Sequence, residues 1–262
     1  MKLGFVQTLP VFGDVKRNVA RALEMAASCG AQVVVLPELF STGYKFADKA
    51  ELTSLAETAD GPTVRAALDL AGKNGIWICG GFAERSNSGC FNSAFLAGPG
   101  GLVGIYRKTH LFADEKDIFL PGDTGFQVFD VGSARVGMMI CFDWIFPEAA
   151  RTLALRGADI ILHPSNLVLP HCPDAMVTRC IENRVFAATA DRVGSDDRAG
   201  GRADFIGMSE IVTPDGKVLV RASKDREETA AVEIDPARAR DKRATPQNDL
   251  FADRRPEMYS QK

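Results

Sequence analysis

Residues 134 to 148 read Ala134-Arg135-Val136-Gly137-Met138-Met139-Ile140-Cys141-Phe142-Asp143-Trp144-Ile145-Phe146-Pro147-Glu148. An apolar, strand-like run ends at a thiol, and Pro147 then opens a helical pattern that Gly157 closes. Proline suits the first helical position because its missing N–H would have no partner there. A thiol at the end of a core strand, facing a loop, sits where layered α/β folds commonly place small-molecule chemistry. The competing reading is packing, since cysteine is often a small buried hydrophobe.

Working outward, the design of a buried strand delivering a polar residue recurs at three places. Residues 31–37 deliver Glu38, residues 101–107 deliver Lys108, and residues 158–165 deliver Asn166. Taken singly, Glu38 reads as a solvated carboxylate, Lys108 beside Arg107 as a basic pair, and Asn166 as a turn former. Taken together with Cys141, they are chemically complementary. If the strand ends gather at one edge, a carboxylate, an ammonium, a thiol and an amide meet there.

The rest of the chain alternates strands and helices. Strands are predicted over 2–7, 32–36, 76–82, 90–96, 102–106, 126–130, 136–140 and 159–162. Asp14 is placed to cap a helix whose apolar face is Val15, Val19, Ala22, Leu23 and Ala26, stopped by Gly30. Further helices are predicted over 63–74, 147–156 and 175–185, and a hairpin over 211–220 around Pro214-Asp215-Gly216. The turns at 98–101 and 214–216 require antiparallel neighbours, so a simple doubly wound sheet is excluded. The expected architecture is α/β, with two mixed sheets packed face to face and helices outside. One domain over 1–262 is expected, with 247–262 a polar tail.

Composition narrows the function. With 262 residues, 46% hydrophobic, the chain can bury a large core, and a formal charge of −3 with mixed signs gives no basic stripe for nucleic acid. No apolar run approaches membrane-spanning length, and the N-terminal residues read as a strand rather than a signal peptide. The six cysteines show no C-x-x-C spacing, which points to reduced thiols, a cytoplasmic location and no structural zinc. There is no G-x-G-x-x-G after a strand and no P-loop, so neither a dinucleotide nor ATP is expected.

A free thiol is mostly protonated at neutral pH, its reference pKa being about 8.5. It needs a base or a nearby cation to become a good nucleophile. Glu38 is the candidate base. Lys108 is the candidate cation, favouring the thiolate or binding an oxyanion, and the Phe142 backbone N–H is a second oxyanion donor. A carboxylate raised by desolvation toward working pH can act as base, then acid, then base again.

These residues carry a resemblance. Pro37-Glu38-Leu39, residues 106–112 (Tyr-Arg-Lys-Thr-His-Leu-Phe) and Ile140-Cys141-Phe142-Asp143-Trp144 with Phe146-Pro147-Glu148 resemble the nitrilase superfamily of carbon–nitrogen hydrolases. The likeness continues through His163-Pro164-Ser165-Asn166, residues 179–184 and residues 205–209, nearly the whole chain. It implies a four-layer α-β-β-α sandwich that usually dimerises, a Glu38–Lys108–Cys141 catalytic triad, and no metal or organic cofactor. It also implies that Glu115 is an additional active-site carboxylate; the plainer reading is a solvated charged loop over 114–117. Arg179, Glu182, Asn183 and Arg184 are expected to be structural.

Many relatives carry an arginine two or three positions before the proline of the cysteine motif. Here those places hold Trp144 and Ile145, which favours small, neutral or weakly polar substrates. Trp144, Tyr44, Phe40 and residues 167–172 are candidates for an apolar pocket wall, with Trp144, Tyr44 and Asn166 positioning substrate. The leading reading is hydrolysis of a small linear amide through a Cys141 thioester, with a small nitrile or an N-carbamoyl amine as alternative substrates. A Cys–His hydrolase using His110 or His163 is a second reading. A binding or scaffold protein that kept the fold is a third, disfavoured by the presence of all three triad residues.

Overall fold

The computed structural model describes residues 1–259. In chain order it runs β1 (Lys2–Gln7), α1 (Val15–Ser28), β2 (Val33–Val35), α2 (Lys49–Leu55), α3 (Pro62–Asn74), β3 (Trp77–Ser86), β4 (Gly89–Gly98) and β5 (Gly101–Arg107). It continues with α4 (Glu115–Ile118), β6 (Val128–Asp130), β7 (Arg135–Met138), a 3-10 turn (Cys141–Ile145), α5 (Pro147–Leu155), β8 (Ile160–Pro164), α6 (Cys172–Asn183) and β9 (Phe186–Ala190). The last elements are β10 (Ser195–Arg198), β11 (Gly201–Asp204), β12 (Glu210–Val212), β13 (Val218–Arg221), β14 (Glu228–Glu233), β15 (Arg243–Thr245) and β16 (Asn248–Asp249). Of the tail predicted over 247–262, positions 260–262 lie outside the described residues.

Two six-stranded mixed sheets result, ordered β14-β1-β2-β3-β4-β5 and β13-β12-β9-β8-β7-β6. In each, three central strands are parallel: β1, β2 and β3 in one, β7, β8 and β9 in the other. The glycine turn at 98–101 joins antiparallel β4 and β5, and the turn at 214–216 joins antiparallel β12 and β13, as their chemistry requires.

Strand alternation decides the layers. Leu3, Phe5, Val33 and Val35 face the second sheet and pack in one cluster with Val136, Met138, Ile160, Leu162 and Phe186. The intervening Val6, Val34 and Leu36 face the other way, into a cluster with Val19, Ala22 and Ala26 of α1 and Val64, Ala67 and Ala71 of α3. On the second sheet, Leu153 of α5 packs on the backbone of Gly137 in β7. Each fully buried Leu, Val, Ile or Phe contributes on the order of 1.5–3 kcal/mol. Asp14 caps α1 by accepting from the Arg17 N–H, and Gly75 ends α3 in the left-handed conformation.

The carboxyl ends of the parallel strands in both sheets lie at one edge, where Thr8 beyond β1 bridges Arg192 beyond β9. The Glu38 N–H, just past β2, reaches the Ser165 carbonyl just past β8 (3.4 Å). The four strand-end residues singled out from sequence belong to this edge region, two from each sheet.

Candidate active site

Glu38 follows Pro37 as the chain leaves β2 and turns at Leu39, whose φ is +46°. The turn rests on β3, with Gly81 N–H donating to the Pro37 carbonyl (3.0 Å) and Phe40 N–H to the Gly81 carbonyl (3.2 Å). Gly81 permits this approach, since a Cβ there would lie 2.5 Å from Glu38 Cα. The Glu38 side chain is fully buried. Its Oε1 accepts from Asn92 Nδ2 (2.6 Å) and Lys108 Nζ (2.7 Å), while Oε2 has no protein partner.

Lys108 leaves the end of β5 with its ammonium also fully buried. Its Nζ donates to Glu38 Oε1 and to Glu115 Oε1 (2.8 Å). Glu115, at the start of α4, is buried and accepts from Tyr44 Oη (2.8 Å) and from the Phe112 N–H (3.0 Å). The solvated-loop reading of Glu115 therefore does not hold: one lysine is shared between two buried carboxylates. Burial alone would push the Lys108 ammonium down, but Glu115 and Glu38 outweigh it and hold its pKa well above the ordinary lysine value. Burial pushes the Glu38 carboxyl up, with Glu115 adding to the rise, and Lys108 and Asn92 oppose it.

Cys141 begins the 3-10 turn after β7, with φ of +40°, a strained value for a residue with a side chain. Its Sγ donates to the Asn166 carbonyl (3.6 Å), and its own carbonyl accepts from His163 Nε2 (3.0 Å). Burial raises the thiol pKa well above normal and Glu38 adds to the rise. Lys108 acts in the direction expected from sequence, toward thiolate, but does not win. The net direction favours the protonated thiol.

A small cavity of about 10 Å³ opens beside the sulfur, lined by Phe112, Cys141, Phe142, Trp144, Asn166, Leu167, Val168 and Leu169. Both side-chain polar atoms of Asn166 are buried and unpartnered. Trp144 and residues 167–169 are part of that lining. Phe40, expected there, is not: it is buried against Phe95 under the helix side of the first sheet, because it points away from Glu38 across the turn. Tyr44 is not part of it either; its hydroxyl is committed to Glu115, and burial and that carboxylate hold it protonated.

Neither histidine is bonded to the thiol. His110 turns away from Lys108 because β5 has ended at Arg107; its Nδ1 donates to Asp143 Oδ1 (2.7 Å) and its ring stacks on Phe146. His163 is fully buried, which depresses its pKa to about 4. The ring is therefore neutral, with Nε2–H toward the Cys141 carbonyl and Nδ1 accepting from Thr189. Arg107 pairs with Glu84 (2.6 Å) and Asp123 (2.9 Å) rather than acting with Lys108. Arg179 donates to Glu182 and to the Trp144 carbonyl (3.1 Å).

Sequence reasoning missed Asn92 and Asp143. Asn92 had a signal, a lone amide inside the apolar run 90–96, where a buried polar group needs a reason. Among the described residues no group of three or more His, Cys, Asp or Glu side chains is placed to hold a metal ion, and no helix is long and apolar enough to cross a membrane.

A thiol, a buried carboxylate and a buried lysine thus stand at the joined edge of the two sheets. Residues 2–244 match the model of the carbon-nitrogen hydrolase family. A nitrilase from Pyrococcus abyssi is 47% identical over 263 residues, covering 99% of each chain. Among solved structures, a carbon-nitrogen hydrolase from Helicobacter pylori superposes with a TM-score of 0.88 at 27% identity, covering 99% of this chain and 96% of that one. A glutamate-to-glutamine mutant of an amidase from Nesterenkonia sp. AN1, with the acetamide moiety of fluoroacetamide added covalently at its active-site cysteine, gives a TM-score of 0.82 at 26% identity, covering 98% of this chain and 95% of that one. The chain belongs to the carbon–nitrogen hydrolases of the nitrilase superfamily.

Proposed function

We propose that the protein hydrolyses the C–N bond of a small unbranched amide, with Cys141 as nucleophile, Glu38 as general base and acid, and Lys108 as oxyanion partner. The observation that carries this reading is the Glu38 carboxylate. One oxygen is tied to Lys108 and Asn92, and the other is free of any protein partner. In the proposed cycle, Glu38 takes the thiol proton as sulfur adds to the carbonyl carbon. The negative oxygen that forms is held by the Lys108 ammonium and the Phe142 N–H. As the intermediate collapses, the C–N bond breaks and Glu38 hands its proton to the leaving nitrogen, releasing ammonia and leaving a thioester. Glu38 then takes a proton from water, hydroxide adds to the thioester, and the C–S bond breaks. The sulfur recovers its proton and the carboxylic product departs. Glu115 holds Lys108 in place, and Asn166 offers an unpaired donor and an unpaired acceptor to the substrate.

The cavity supports a small, uncharged acyl group. About 10 Å³ is near the room one water needs, and no Lys, Arg, Asp or Glu lines it. A substrate carboxylate there would be desolvated with no cation in that lining to pair with, which disfavours N-carbamoyl amino acids. A second reading, a small nitrile, is favoured by the 47% identical relative named as a nitrilase. There sulfur would add to the nitrile carbon and give a thioimidate, and two waters would complete the hydrolysis. The absence of C-x-x-C spacing and the six free thiols suit a reducing, cytoplasmic setting. A homodimer belongs to the same reading, with the exposed Leu155 of α5 and Ile181 of α6 as its proposed contact.

The test is an ammonia-release screen over short aliphatic amides, nitriles and N-carbamoyl amines, with intact-mass detection of the acyl-enzyme. One class should turn over and add its acyl mass to the protein, and Cys141→Ala should do neither. Substantial turnover by that variant would sink the mechanism, and failure of electrophiles to label native Cys141 would revive a scaffold role.

A further inference from the structure

We propose that Asp143 is a positioning residue that clamps the turn bearing Cys141 to the segment bearing Lys108. The inference rests on the reading of Cys141 as nucleophile and adds a residue that touches neither substrate nor sulfur. Asp143 is fully buried. Its Oδ2 accepts from the Ile140 N–H (2.8 Å) and from Tyr106 Oη (2.7 Å), and its Oδ1 accepts from the His110 N–H (3.2 Å) and His110 Nδ1 (2.7 Å). These donors fill most of what a carboxylate can accept.

Where the donors come from gives the arrangement its meaning. Ile140 directly precedes Cys141 and Asp143 follows it by two residues, so the bond between them closes a ring of backbone around the nucleophile. Tyr106 and His110 stand two residues before and two residues after Lys108. One carboxylate therefore ties both flanks of Cys141 to both flanks of Lys108. The joined segments come from different sheets, β5 in one and β7 in the other.

The remaining contacts fit a clamp. Cys141 carries φ of +40°, a conformation that persists only where the surroundings enforce it. His110 is fixed from its far face by Phe146, with ring centroids 3.7 Å apart and 12° between planes. Tyr106 is buried and its phenol is held protonated by burial and by Asp143, so it remains a donor. A site whose nucleophile and oxyanion donor sit on separate sheets needs a fixed distance between them, and a misplacement of about 1 Å can cost on the order of 10²-fold in rate.

The test compares Asp143→Asn, Tyr106→Phe and His110→Phe in the full-length protein, with Cys141→Ala as reference. Asparagine keeps one acceptor but opposes an N–H to donors that need an acceptor. Tyr106→Phe removes one hydroxyl, and His110→Phe removes one donor while keeping an aromatic ring on Phe146. Each should lower kcat, Asp143→Asn by roughly 10²-fold, with KM changed little and acyl-enzyme formation slowed in rapid-quench mass spectrometry. The losses from Tyr106→Phe and Asp143→Asn should be less than additive when combined, because they break one bond. Lower melting temperatures with wild-type kcat per folded molecule would overturn the inference and leave Asp143 a structural residue. Should Asp143→Asn fail to fold, wild-type kcat in both Tyr106→Phe and His110→Phe would overturn it equally. Turnover by Cys141→Ala would instead refute the mechanism beneath it.

Discussion

Replacing Lys108 by methionine keeps the stem and removes the one positive charge that two buried carboxylates share. In the native site Nζ lies 2.7 Å from Glu38 Oε1 and 2.8 Å from Glu115 Oε1. The two oxygens are thus at most about 5.5 Å apart, where like charges repel by roughly 3 kcal/mol at an effective dielectric of about 20. That repulsion is equivalent to about two pKa units. Without the lysine that opposes the burial-driven rise of Glu38, the variant should hold a proton on Glu38 to higher pH than the wild type does. The sign follows from linkage. A carboxyl whose folded pKa lies above its unfolded value binds more protons when folded, so its stability contribution is present at low pH and lost as pH rises through the folded pKa. The variant's deficit against wild type should therefore be small near pH 5 and grow by up to about 3 kcal/mol toward pH 8. Urea unfolding of both proteins at several pH values reads this directly. A deficit independent of pH would refute the claim that Lys108 favours the charged form of Glu38. If Lys108 serves as the proposed oxyanion partner, turnover should fall by at least about 10²-fold.

Three further outcomes follow from the same geometry. As base, Glu38 must be deprotonated, so kcat/KM should fall as pH drops through its raised pKa; Asn92→Leu removes a hydrogen bond that lowers that pKa and should move the acid limb to higher pH, whereas an unmoved limb would exclude Glu38 as the titrating base. Gly81→Ala places a Cβ 2.5 Å from Glu38 Cα, so it should cost about 1–3 kcal/mol by thermal or urea melts and reduce kcat far more than distant core changes of equal stability; equal losses would remove Gly81 from the site. In the proposed homodimer, Ile181→Glu on the exposed face of α6 should shift light-scattering mass from dimer to monomer; a wild-type mass of one chain, or a variant that stays dimeric, would refute that proposed interface.

The sequence made the strand ends legible because a buried strand writes a continuous apolar run and a polar residue at its end breaks it. The residues delivered that way, Glu38, Lys108, Cys141 and Asn166, lie along the edge the fold builds. Elements lacking such contrast were not legible. In β9 the run Phe-Ala-Ala-Thr-Ala has no alternation and suits a helix equally well. In β14 the run Glu-Thr-Ala-Ala-Val-Glu becomes a strand only because β1, more than two hundred residues earlier, offers it an edge. Side-chain direction was equally hidden. Phe40 is two residues past Glu38, so strand alternation would place them on one face, but the left-handed residue between them breaks the alternation and sends Phe40 into the helix layer. His110 likewise parts from Lys108 because β5 has already ended.

The electrostatics of the site bear on when its nucleophile is made. In many cysteine enzymes a neighbouring imidazolium keeps the sulfur ionised at rest. Here the nearby groups are two carboxylates and one lysine, and burial with Glu38 keeps the thiol pKa high. A standing thiolate would add a third negative charge beside Glu38 and Glu115 with only Lys108 to oppose them. Removing the proton to Glu38 as sulfur attacks avoids this. Negative charge moves from the carboxylate to the substrate oxygen, where Lys108 can follow it, and the total near the lysine does not rise. Reagents should sense the difference. Weakly electrophilic alkylating agents, which depend on standing thiolate, should react slowly with Cys141 at neutral pH. Small amide-like electrophiles that accept a hydrogen bond from Lys108 should react fast. Equal rates for the two, measured by intact mass at one pH, would mean that the thiolate is already formed and that Lys108, not Glu38, governs the sulfur.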